Sequence, residues 1–159
     1  MSRQIKNIIA ITFFLICIGL INFAGQNIEI EIRGMNAFTF ILITAVLVQI
    51  IFFIPSFLLK TEKYYDLVGS LTYIATVSLA YFAVDDKTMI DSIIYFYVMV
   101  WASRLGIYLF RRVRNDGKDV RFEKAKRHFF WFLQYWMGQA LWVSPVSYTH
   151  LTLPTICSV

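Results

Sequence analysis

The chain has 159 residues, of which 58% are hydrophobic, 18% aromatic and only 16% charged, with a formal net charge of +5. An apolar excess of this size excludes an ordinary soluble domain or a disordered segment, and indicates an integral membrane protein. With one cysteine, Cys17, inside an apolar run and the other, Cys157, at the extreme carboxy end, the sequence offers neither a disulfide framework nor a metal framework.

Residues 8–24 form the first apolar run, behind Arg3 and Lys6. The run is too long for a signal peptide, and Asn22 before Ala24 is a poor cleavage context, so an uncleaved span is expected. In residues 26–36, Ile28, Ile30 and Ile32 alternate with Glu29 and Glu31 up to Gly34, a period of two that suits a short extended segment at the membrane interface. Residues 37–59, 67–84 and 90–110 are the next three spans, each near the ~20 apolar residues needed to cross ~30 Å of hydrocarbon. Pro55 is expected to bend the second span near its end by removing a backbone donor. Residues 128–143, rich in Trp and Phe with Gln134 and Gln139, suit the headgroup zone or a partial helix packed on protein. The fold class is therefore all-α, a polytopic transmembrane helix bundle of four spans plus a partial fifth helix.

Residues 111–127 hold eight Lys or Arg against Asp116, Asp119 and Glu123, a net of +5 that equals the charge of the whole chain. With the amino terminus inside, the inner loops collect twelve basic residues and the outer loops only Arg33 and Lys87. This predicts a multi-pass protein of the inner membrane with a cytoplasmic amino terminus. Asn115, Asp116 and Gly117 signal a turn, and residues 120–127 suit a short surface helix with Phe122 toward lipid and Arg121, Lys124 and Lys126 toward phosphates.

Residues 146–155, VSYTHLTLPT, break abruptly from the helical apolar pattern. The string matches the translation of a transposon mosaic end and its adjoining library adapter. Residues 145–159 are therefore expected to be non-native, and the chain to be the front portion of a longer protein.

Asp66, Ser70 and Tyr73 recur at i, i+4 and i+7 in the third span, with Gly69 beside them. In the fourth, Tyr97, Trp101, Arg104, Tyr108 and Arg111 form a cationic and aromatic stripe. Tyr73 and Arg104 each lie seven residues inside the membrane, roughly 10 Å at ~1.5 Å per residue, and are expected to share a level and a cytosol-facing cavity. A guanidinium there costs roughly 2.5–3.5 kcal/mol if it faces lipid. Arg104 either turns inward to a partner such as Asp66 or reaches for the headgroups.

The strings TEKYYDLVGSLTY (61–73), WASRLGIYLFRR (101–112), DGKDVRF (116–122) and FFWFLQYWMGQALWV (129–143) resemble, in order and spacing, an uncharacterised bacterial membrane family related to steroid 5-alpha-reductase. The resemblance implies a cofactor pocket open to the cytoplasm, NADPH as cofactor, and reduction of a carbon–carbon double bond in a lipid-soluble, enone- or sterol-like substrate. It implies Glu62, Tyr65, Asp66, Arg104, Arg111, Asp119 and Arg121 as residues lining that pocket. The guanidinium fork suited to phosphate oxygens adds Arg114 to the cofactor-binding candidates Asp66, Arg104, Arg111, Asp119 and Arg121. Glu62, Tyr65 and Tyr73 are the candidate proton donors, since a buried acid or phenol polarises a developing enolate. An S-adenosylmethionine-dependent methyltransferase and a non-enzymatic lipid-binding protein are the competing readings. Expected partners are the bilayer, anionic headgroups and a hydrophobic small molecule, with no nucleic acid and no metal. The family's Arg-His-Pro-Asn-Tyr stretch and following Gly-Glu do not occur here, so this chain by itself is expected to be inactive.

Overall fold

The computed structural model describes residues 3–85, 87–116, 119 and 121–156. Five long helices account for most of them: α1 (Arg3–Ala24), α2 (Ala37–Leu58), α3 (Tyr65–Ala83), α4 (Met89–Asp116) and α5 (Phe129–Ile156). The first four are long and apolar enough to cross a membrane, at the positions expected from hydropathy. The chain is an all-α polytopic membrane bundle.

The alternating segment after α1 behaves as its period requires. Strands β1 (Glu31–Ile32) and β2 (Met35–Asn36) pair antiparallel around a turn in which Arg33 and Gly34 both take positive φ, 53° and 74°. Ile28, Ile30 and Ile32 pack on the core, while Glu29 and Glu31 stay exposed. Asn36 then caps α2, its side-chain oxygen accepting from the backbone N–H groups of Phe38 and Thr39 at 3.0 and 3.2 Å. Helix α2 continues through Pro55 to Leu58, and Thr88 and Asp91 cap α4 reciprocally, the Thr88 N–H donating to Asp91 and the Asp91 N–H to Thr88.

The fifth helix expected over 128–143 is present as α5, which begins at Phe129. It runs on to Ile156, with Ser144, Ser147 and Thr149 donating to carbonyls one turn back. Of the two settings its composition suited, it takes the one packed on protein: α1, α2 and α3 all pack on it, while α4 packs chiefly on α3. Phe132, Trp136, Ala140 and Val143 are fully buried, at spacings of four, four and three that make one continuous stripe.

The Arg3 guanidinium lies 4.7 Å from the Trp131 ring centroid. The amino terminus, the α2–α3 connection and the basic loop therefore share one end of the bundle, the basic end; the ribbon and the α3–α4 connection lie at the other.

Candidate functional site

At the basic end, the segment before α3 and the loop after α4 are bound together by charge. Glu62, with a side chain only 3% exposed, accepts from Lys126 Nζ at 2.7 Å and from the Asp119 N–H at 3.2 Å. Asp119 accepts from the Nε–H of Arg121 at 2.9 and 3.0 Å, and Arg121 Nη2 reaches on to Asp66 at 3.1 Å. Arg112 completes the group, 3.9 Å from Asp66 and 3.7 Å from Asp119. The Arg121 hydrogen bonds hold the Asp119 carboxyl below its usual range against the opposing effect of burial, and the same bond raises the Arg121 guanidinium above its own.

Beneath this network lies an aromatic floor. The Tyr65 ring is 4.7 Å from Phe122 and 5.2 Å from Trp136, and its hydroxyl donates to the Tyr135 carbonyl at 2.9 Å. Phe122 is 1% exposed, which overturns the expectation of a surface helix with Phe122 in lipid. Residues 121–124 are turns followed by a 3₁₀ turn, Ala125–Arg127, and Phe122 is the apolar plug that seats this loop on the bundle. Lys126, expected to face phosphates, is turned to Glu62. The expected turn at 115–117 falls partly on Gly117, which with Val120 and Cys157 is outside the described residues; α4 itself continues through Asp116.

The remaining sequence candidates divide into two groups. The stripe on α3 enters the α4–α5 junction: Ser70 packs against Gly106, and Tyr73 donates to the Trp142 carbonyl at 3.0 Å while its ring meets Trp101 at 5.4 Å. Arg104 does not join it. Ala102, Gly106 and Val113 are the buried positions of α4, and Arg104 is offset from the first by two residues, or about 200° of helical rotation. It therefore points away from α3, on an exposed face where Trp101, Arg104, Leu105 and Tyr108 line a surface groove of about 290 Å³. Among the described residues, Arg104 thus does not meet Asp66 or Tyr73 in the shared cavity that was expected. Arg111 and Arg114 are exposed at the basic end and make no ion pair with another described side chain.

Sequence reasoning missed Arg112, although its neighbour Arg111 was marked, and missed the structural role of Lys126. It also passed over a buried polar contact in mid-bundle, where Gln49 donates to Thr72 at 3.0 Å. Among the described residues, no group of three or more His, Cys, Asp or Glu side chains is placed to hold a metal ion.

What the basic end can do follows from its donors. Asp66 and Asp119 fix the fork of Arg121 by hydrogen bonds and draw Arg112 to within 3.7–3.9 Å, while the two side chains remain 51% and 41% exposed, so N–H groups stay open to an outside acceptor. Pre-oriented guanidinium forks of this kind match phosphate oxygens. No curated protein and no solved structure matches the chain. The family model described as protein of unknown function DUF1295 matches residues 52–156, which takes in α3, α4, the basic loop and α5, and the chain belongs to that family.

Proposed function

We propose that this chain carries the phosphate-recognising end of an NADPH-dependent membrane reductase acting on a lipid-soluble unsaturated substrate, with the basic end facing the cytoplasm of an inner-membrane protein. The observation that carries the reading is the pair Arg112 and Arg121 gathered on the largely enclosed carboxylates of Asp66 and Asp119, Arg121 by hydrogen bonds and Arg112 at 3.7–3.9 Å, yet each about half open. A loop that only attracted anionic lipid would gain nothing from Asp66 and Asp119, which lower its net charge. Bound there, NADPH would supply the hydride. The chain's residues orient it: Arg112 and Arg121 hold phosphate oxygens, and Arg111 and Arg114 add positive potential at the same end. Glu62 serves the loop clamp, so its part is positioning. Tyr73, the less enclosed of the two tyrosines whose hydroxyls bond to α5 carbonyls, is the proton donor in this reading.

The test is nucleotide binding by the purified chain in neutral detergent, followed by Trp fluorescence. Arg112→Lys/Arg121→Lys keeps the charge and removes the planar forks, so NADPH affinity should fall about tenfold or more, while association with anionic vesicles stays within about twofold. Equal loss of both would reduce the site to a charge patch. Unchanged NADPH affinity would remove these two residues from it, and binding of S-adenosylmethionine in place of NADPH would favour a methyltransferase.

A further inference from the structure

Arg104 poses a separate problem. It sits roughly 10 Å along α4 from Arg111, on the face turned away from the rest of the bundle, and it makes no hydrogen bond or ion pair with any described residue. Val100 and Ile107 beside it are each half exposed, the environment of hydrocarbon rather than of a water-filled pocket. A guanidinium left without an acceptor there is strongly disfavoured. Trp101 and Tyr108 flank it on the same face, 47% and 63% exposed, and Trp101 is held by its edge contact with Tyr73. The groove they line therefore joins one cation, one phenol hydroxyl and two aromatic walls.

We propose that this groove is a binding site for one anionic phospholipid, whose phosphate is drawn down to Arg104 and Tyr108 and whose acyl chains lie along Val100 and Tyr97. The charge and the depth select the occupant. The described acidic residues of α4 are Asp91 and Asp116, neither of them on the groove, so the anion comes from outside the helix. A soluble nucleotide does not reach a groove walled by lipid-facing side chains. A second copy docked face to face would set Arg104 and Arg111 against their own counterparts, a like-charge contact that disfavours a symmetric interface. The proposal is independent of the nucleotide reading, which rests on Arg112, Arg121 and the loop at the basic end, whereas Arg104 lies eight residues, roughly 12 Å, from Arg112 along α4.

The experiment is native mass spectrometry of the full chain in neutral detergent, titrated with phosphatidylglycerol, phosphatidylcholine or inorganic phosphate. The expected result is one retained phosphatidylglycerol, about fivefold or more preferred over phosphatidylcholine, with free phosphate not competing. Arg104→Gln should abolish the preference, Arg104→Lys should keep part of it, and Arg111→Gln should leave it in place. As a second reading, quenching of Trp fluorescence by phosphatidylglycerol with brominated acyl chains should saturate at one lipid and lose a component in the conservative variant Trp101→Phe. An undiminished preference in Arg104→Gln, a quench untouched by Trp101→Phe, full competition by inorganic phosphate, or a lipid-independent dimer abolished by Arg104→Gln would each overturn the proposal.

Discussion

The Glu62–Lys126 pair predicts an unequal response to losing either partner. Its two side chains are 3% and 21% exposed, so the carboxylate is the group that water cannot reach. Lys126→Met leaves a buried anion with only the Asp119 N–H as donor. Breaking a buried pair costs about 3–5 kcal/mol, and the edge position of Lys126 puts this case at the lower end, about 3 kcal/mol. Glu62→Gln keeps an acceptor for the Asp119 N–H and frees a lysine that can extend into water, for about 1 kcal/mol. The double variant buries no charge and should cost about 1–2 kcal/mol, less than the sum of the two singles. Thermal unfolding followed by circular dichroism in a nonionic detergent reads these differences, with Lys126→Met melting about 6–12 °C below the parent. If Lys126→Met melts within about 2 °C of the parent, or if the double variant equals the sum of the singles, then Glu62 is not the buried anchor of the loop.

Three other outcomes follow from the same packing. At Gly106 an added Cβ would stand 2.6 Å from the Ser70 Cβ, whereas at Gly19 it would meet nothing within 4 Å; Gly106→Ala should therefore cost about 1–3 kcal/mol by overpacking the α3–α4 contact, and Gly19→Ala should be neutral or slightly stabilising in the same melting assay. Asn36→Ala removes the α2 cap together with the side-chain bond to the Ile28 carbonyl at 2.6 Å, and should cost about 1 kcal/mol or somewhat more. Because the Asp119 carboxyl is held below its ordinary value, its stabilisation of the loop is fully present above about pH 4 and is lost as pH falls through the lowered value; amide-exchange protection of residues 121–127, taken relative to the intrinsic rate at each pH, should fall on that acid limb, and a loop equally protected throughout would contradict the assignment.

The parts of this architecture that the sequence made legible are those set by local pattern. Four spans follow from run length, and the ribbon before α2 follows from Ile28, Ile30 and Ile32 alternating with glutamates. What periodicity does not tell is which side of a helix meets its neighbour. The stripe of Trp101, Arg104, Tyr108 and Arg111 was correctly read as one face, but the face that approaches α3 is the one with Ala102 and Gly106, whose small side chains let the backbones come close. That four-residue small spacing was present in the sequence and outranks the more conspicuous polar stripe. Phe122 was misplaced for a similar reason. In a strongly basic segment it looked like a lipid anchor, and only the aromatic floor of Tyr65, Tyr135 and Trp136, three residues from two distant helices, makes it a core residue.

The central claim is that Arg112 and Arg121 are held open for a nucleotide phosphate, and the most direct measurement is the ratio of NADPH to NADH affinity, since the two ligands differ only by the 2′-phosphate. Isothermal titration of the detergent-purified chain should give a preference for NADPH of about tenfold or more, collapsing toward unity in Arg112→Lys/Arg121→Lys. Equal affinity for the two nucleotides in the parent chain, or a preference that survives the double exchange, would contradict it.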